Sequence, residues 1–167
     1  RITGLAVDVE RGEEFLGDGP RGYAALRAYL RELRAAVGPR VLLAANVEDP
    51  FLGRLDERTY PYAEIAAAAD VLQPMTYWRM LGPWDSAEKT VRAVTGSLEK
   101  LRALAGPRVA LAVGAQTAPL SARGAPPPDE LRAGIETGRR LGAIGVLFYD
   151  WSGTAPEQWQ AIADAPW

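Results

Sequence analysis

Asp8 and Glu10 are the first residues in the chain able to do chemistry. They stand two apart in Gly4-Leu5-Ala6-Val7-Asp8-Val9-Glu10, a run otherwise apolar and β-branched. Residues two apart on a strand share a face. Proximity of like charge and burial both raise a carboxyl pKa, so one of such a pair can stay protonated near neutrality, as a general acid must. The plainer reading pairs them with Arg11 or Arg40, or lets Glu10 open a solvated loop. Other apolar runs end in polar residues too: Asn46 and Glu48, then Gln73 and Tyr77 with Met75 on their face, then Gln116, then Asp150. A strand buried on both faces should be apolar throughout, and a buried carboxylate is costly unless paired. These side chains therefore read as a polar cluster on one rim above an apolar base.

The missing residue types narrow the chemistry. The 167 residues include no Cys and no His. That excludes from this chain a thiol nucleophile, a Cys- or His-ligated metal, a disulfide framework and a Ser-His-Asp triad. The only lysines, Lys89 and Lys100, fall in one predicted helix, which argues against a P-loop or Schiff-base lysine. Carboxylates and tyrosines are left for proton transfer, with Trp, Asn, Gln and Arg for binding. A net charge of −2 gives no footprint for nucleic acid or an anionic membrane, so neither is expected as a partner. At 48% hydrophobic and 24% charged, the chain reads as one globular domain spanning residues 1–167.

Five apolar runs are predicted strands: Ile2–Glu10, Arg40–Glu48, Asp70–Trp78, Arg108–Gln116 and Ala143–Trp151. Between them the apolar spacing turns helical, with stripes at Tyr23, Leu26, Leu30, Leu33 and Val37 and at Val91, Val94, Leu98, Leu101 and Leu104. Asp85-Ser86-Ala87-Glu88 reads as a capping box, and Pro126-Pro127-Pro128-Asp129 as a capped helix start. A short last helix is expected near Pro156–Ala163. Gly38-Pro39-Arg40-Val41 returns as Gly106-Pro107-Arg108-Val109, two matching helix-to-strand turns. Such alternation means an α/β fold with a parallel sheet. Tight helix-to-strand turns and long strand-to-helix loops put the site at the carboxyl ends of the strands, where Phe51, Tyr60, Tyr62 and Trp84 also lie. A doubly wound sheet fits the length, and a (βα)8 TIM barrel would be represented by five of its eight units.

The residues decide further through a resemblance. Gly4-Leu5-Ala6-Val7-Asp8-Val9-Glu10 resembles the fourth strand of family 18 glycoside hydrolases, chitinase-like TIM barrels whose motif there ends in Asp-x-Glu. Met75-Thr76-Tyr77 resembles their sixth-strand Met-x-Tyr-Asp motif, and Trp151 the tryptophan closing their eighth strand. The ordered set makes the chain units four to eight, with units one to three absent. The resemblance implies a secreted or cell-envelope glycosidase of carbohydrate metabolism, needing no cofactor and no metal. It acts on N-acetylglucosamine polymers of chitin or peptidoglycan type. It makes Glu10 the acid on the glycosidic oxygen. Asp8 and Tyr77 orient the substrate's acetamido group, which attacks in place of an enzymic nucleophile. Trp151 is implied as the floor under the reacting sugar. The rim itself, rather than the resemblance, places Gln73, Met75, Asn46, Glu48 and Asp150 around the substrate, with Trp78 as a sugar-stacking platform.

The chain departs from that pattern at three places. Thr3 and Ala6 stand where two further Asp residues are expected, and Trp78 where the motif's Asp belongs. A relay behind Asp8 is then missing, and a two-carboxylate mechanism with Asp150 or Glu48 as partner competes with substrate assistance. Family 25 lysozyme-like barrels also carry Asp-x-Glu on a strand. Three rivals stay open: a barrel that binds glycan without cleaving it; a dinucleotide site at Gly17-Asp18-Gly19-Pro20-Arg21-Gly22; and a hard-metal site from Asp8, Glu10, Glu48 and Asp150. A chain beginning at Arg1 reads as a fragment, so its open sheet edges are expected to be closed by the missing barrel half or by self-association.

Overall fold

A computed structural model describes residues 3–11, 19–56, 58–165 and 167. Its strands are β1 (Gly4–Val9), β2 (Leu42–Val47), β3 (Val71–Thr76), β4 (Ala110–Leu111), β5 (Val113–Gln116) and β6 (Val146–Tyr149). Its helices are α1 (Gly19–Val37), α2 (Tyr62–Ala68), α3 (Trp78–Leu81), α4 (Ala87–Ala105), α5 (Pro128–Arg140) and α6 (Pro156–Asp164). The predicted strand Arg108–Gln116 is split at Ala112 into β4 and β5, both of which pair with β3. All pairing is parallel.

The sheet order is β1-β2-β3-β5-β6, so each strand is added on the same side of the one before. A doubly wound sheet must reverse direction at a switch point, where its ligand binds. The described strands never reverse, and the doubly wound alternative falls with its dinucleotide site. Gly19 to Gly22, four of that motif's six residues, are the first turn of α1. Gly17 and Asp18 lie outside the described residues. The helices α1, α2, α4, α5 and α6 neighbour one another in chain order, as the strands do. The result is a half-barrel.

On the first two strands only one face is covered. On β2, Leu43, Ala45 and Val47 are buried under the helices, while Leu42, Ala44 and Asn46 alternate with them and are more open. On β1, Val7 and Val9 are buried and Ala6 and Asp8 are exposed. The expectation that both faces are buried is thus corrected for β1 and β2, whereas β3 and β5 are buried on both. The concave side is open at β1, where Asp8 is exposed, and closes toward β3 and β5, where Gln73 and Gln116 are buried. The core lies between sheet and helices, with Leu30, Leu43, Ile65, Leu72, Leu101, Leu111 and Leu131 fully enclosed. Each such side chain contributes roughly 1.5–3 kcal/mol.

Turn chemistry largely follows the sequence. Gly38 and Gly106 both take positive φ, 77° and 85°, at the two matching turns. Two caps differ from expectation. Ser86 caps α4 by accepting from the Lys89 amide at 3.2 Å. The third residue of that turn is lysine, so the returning half of a capping box is absent, and Lys89 instead pairs with Asp85 at 2.7 Å. α5 begins with Pro128 behind Pro127, and Asp129 makes no cap bond.

Candidate active site

At the carboxyl ends of the strands a cavity of about 440 Å³ opens on the concave face. It is lined from β1 by Asp8 and the following Glu10, and from β2 by Asn46 and the following Glu48. Met75 and Tyr77 contribute from the third strand, Met80 and Leu81 from α3, and Leu147 and Tyr149 from β6, with Leu120 closing one side. Register explains the convergence. Asp8 pairs with Asn46 and Asn46 with Gln73, so side chains in one row point to one face.

Two tyrosines hold the acid-bearing strand ends. The Tyr60 hydroxyl donates to the Val9 carbonyl, between Asp8 and Glu10. The Tyr62 hydroxyl donates to the Glu48 carbonyl at 3.0 Å. Their rings lie 4.6 Å apart, tilted by 49°. Burial first, and then the charges of Glu48, Asp8 and Glu10, push the Tyr60 phenol well above its usual range. Tyr77 stacks on Tyr149 with centroids 5.8 Å apart. Its phenol is raised by burial and by the neighbouring Asp8 charge, so at neutral pH it is a hydrogen-bond donor. Glu48 is held near Arg11, whose amide donates to its Oε1 at 3.3 Å. The Asn46 Oδ1 is buried and finds no hydrogen-bond partner among the described residues.

Six of the predicted site residues thus share one cavity: Asp8, Glu10, Asn46, Glu48, Met75 and Tyr77. Four do not line it. Gln73 lies deeper on the same strand and is buried. Trp78 is 0% exposed and packs on the helix side, its Nε1 donating to Glu130 Oε2 at 3.0 Å. Trp151 is 79% exposed and packs on Trp159 at 5.6 Å. Strand pairing stops at Tyr149, so Trp151 is carried away from the rim, and Tyr149 supplies the aromatic wall. Asp150 is turned into its own loop, where Oδ1 accepts from the Gly153 amide at 2.6 Å and the Ser152 hydroxyl at 3.1 Å. Among the described residues no group of three or more Asp or Glu could hold a metal ion, so the hard-metal rival lacks its ligand set.

The sequence reading missed the support of the α3 corner. Glu130 is 1% exposed and receives Arg79 Nε at 2.8 Å, Arg79 Nη2 at 2.7 Å and the Trp78 indole. Gln116 Oε1 accepts from the backbone amides of Arg79 and Met80 at 3.1 and 3.0 Å. These bonds fix the short helix that presents Met80 and Leu81 to the cavity. Pairing over 51 residues leaves no local sequence signal.

No family model and no curated protein sequence matches the chain. Solved structures do. A class V chitinase from Pseudomonas fluorescens Pf-5 superposes with a TM-score of 0.69 over 98% of the chain, at 16% identity. The chain has part of a (βα)8 TIM-barrel fold. Bee venom hyaluronidase matches over 86% of it, with TM-score 0.59 and 14% identity. The PgaB (BpsB) glycoside hydrolase domain from Bordetella bronchiseptica also matches over 86%, with TM-score 0.54 and 22% identity. The chain spans 66%, 50% and 39% of these three proteins. The barrel expected from the motifs is therefore the fold found, and the structural neighbours are glycoside hydrolases.

Proposed function

We propose that the half-barrel carries the acid side of a glycosidase site acting on an N-acetylglucosamine-containing polysaccharide, of chitin or peptidoglycan type. The observation that carries this reading is that Asp8, Glu10 and Tyr77 line one open cavity at the strand ends. The names of the fold neighbours, a chitinase and a hyaluronidase among them, agree with it.

In this reading Glu10 gives its proton to the glycosidic oxygen as that bond breaks. Tyr77, kept protonated by its surroundings, donates to the substrate's acetamido oxygen, and Asp8 accepts from the acetamido N–H. The acetamido oxygen attacks the anomeric carbon. Water then opens the cyclic intermediate, returning a proton to Glu10. Tyr149 beside Tyr77 takes the wall position that the resemblance gave to Trp151. The unpaired Asn46 Oδ1 accepts from a sugar hydroxyl.

One observation favours a second mechanism. Asp8 has Ala6 as its neighbour on the same face, where the resemblance expects a carboxylate, while Glu48 lines the same cavity from the next strand. Glu48 would then activate water as a general base, opposite Glu10 as acid. Asp150, tied into its loop, is the weaker partner.

The test is turnover of N-acetylglucosamine oligomers. Glu10→Gln should abolish hydrolysis and spare oligomer binding. Binding without any turnover by the complete protein would mean a glycan-binding barrel and overturn the glycosidase reading. Tyr77→Phe should lower turnover of N-acetylglucosamine oligomers, and glycosides lacking the acetamido group should not be turned over at all if that group is the nucleophile. Closure of the two sheet edges by three further βα units, or by a second copy, belongs to the same proposal, as does export from the cell. Among the described residues no helix is long and apolar enough to cross a membrane.

A further inference from the structure

A second cavity, of about 580 Å³, adjoins the first across Leu81, which lines both. Its walls are the Phe51–Arg54 loop after β2, the Leu81–Trp84 turn after α3, and Lys89 and Arg92 on α4. The chemistry of its walls differs from that of the first cavity, which holds three carboxylates and no cation. This one holds three cations and no carboxylate. Lys89 is offset by Asp85 at 2.7 Å. Arg54 and Arg92 are exposed, and neither has an ion pair among the described residues.

The walls are built, not incidental. Phe51 lies on α4 at Gly96, where an added Cβ would come within 2.7 Å of the ring. Trp84 folds over Gly82, where a Cβ would sit 2.6 Å from the indole nitrogen. Phe51 and Trp84 meet with centroids 5.7 Å apart, tilted by 52°. The loop itself is pinned. Asp49 Oδ1 accepts from the amides of Phe51 and Leu52 at 2.9 and 2.7 Å, and Lys100 Nζ reaches the Pro50 carbonyl at 2.8 Å. Arg54 takes φ 56°, a conformation that costs a non-glycine residue energy. A half-buried indole beside two guanidinium groups that have no ion pair among the described residues suits a ring that stacks and carries a negative charge. Arg binds carboxylates in a two-pronged geometry, and aromatic faces bind sugar rings by their C–H surfaces.

We propose that this groove binds the uronic acid unit of an acidic oligosaccharide whose neighbouring amino sugar occupies the acid-lined cavity. The proposal rests on the glycan reading of that cavity and, in place of a chitin- or peptidoglycan-type polymer, names one that alternates an uncharged amino sugar with a carboxylated sugar. The acidic cavity takes the uncharged unit because a carboxylate there would face Asp8, Glu10 and Glu48. The arginine groove takes the charged one. A nucleic acid chain would place phosphates along both and is disfavoured by the first.

The test is calorimetric titration at low salt with two tetrasaccharides, one alternating glucuronic acid with N-acetylglucosamine and one of N-acetylglucosamine alone. The wild type should bind the acidic one about tenfold more tightly. The double variant Arg54→Ala, Arg92→Ala should lose that preference while keeping its affinity for the neutral ligand, and about 0.5 M salt should erase it too. Both variants sit at exposed positions, so folding is not at stake. Equal binding of the two ligands by the wild type overturns the proposal and leaves the glycan reading standing. Equal weakening of both in the double variant does the same. Binding of neither ligand overturns both readings. Tighter, arginine-dependent binding of an eight-residue oligothymidylate overturns the proposal in favour of nucleic acid.

Discussion

Replacing Glu130 by alanine should unfold the α3 corner and lower the stability of the whole domain. The side chain is 1% exposed and accepts three hydrogen bonds, two from Arg79 and one from Trp78. Alanine leaves a guanidinium only 15% exposed without a counter-ion, and an indole N–H with no acceptor. Breaking a buried pair by removing one partner costs roughly 3–5 kcal/mol. For 167 residues the entropy of unfolding is about 350 cal/mol/K, so the melting temperature should fall by roughly 9–14 °C. Glu130→Gln retains one acceptor oxygen and should lose about 1–3 kcal/mol. Glu136→Ala, exposed on the same helix, should change stability by less than about 0.5 kcal/mol. Thermal unfolding followed by circular dichroism reads all three. A loss below about 1 kcal/mol for Glu130→Ala would refute the argument, because Arg79 would then have found water instead of remaining enclosed.

Further outcomes follow from the same contacts. Tyr60→Phe strands the Val9 carbonyl and should cost about 1–3 kcal/mol in chemical denaturation. Tyr60, Tyr62 and Tyr77 all have phenols raised above the usual 10.0, so the folded state holds their protons more tightly than the unfolded chain. Their contribution is complete below pH 10.0 and is lost as the pH climbs beyond it; melting temperatures from pH 8 to about 11.5 should fall only in the upper part of that span. Trp151→Ala should leave oligosaccharide affinity unchanged, whereas Tyr149→Ala should weaken it, by titration. Gly96→Ala gains about 1 kcal/mol of helix propensity but drives a methyl group into the Phe51 ring, so a net drop in melting temperature with altered Trp84 emission is expected.

Strand alternation carries much of the site. Gln73, Met75 and Tyr77 share a face by simple period-2 counting, and the same counting puts Trp78 on the other face, where it is buried against Glu130. Its reading as a rim residue came from its place at the strand end, which counting contradicts. Trp151 shares parity with Tyr149, but parity holds only while the strand lasts, and pairing ends at Tyr149. The split at Ala112 and the Arg79–Glu130 pair depend on partners far along the chain, which no local pattern records. The one-way strand order, which separates a half-barrel from a doubly wound sheet, is likewise a property of pairing and not of any segment.

The grip of Tyr60 on Val9 means that the loop leading into α2 sets the height of the strand that bears Glu10. The βα units are therefore not interchangeable bricks. A chimera that exchanges residues 49–61 for another barrel's loop would keep every residue of the acid-lined cavity and still release the first strand end. Transplanting this site to a new scaffold would require carrying the tyrosine pair along with the acids it steadies.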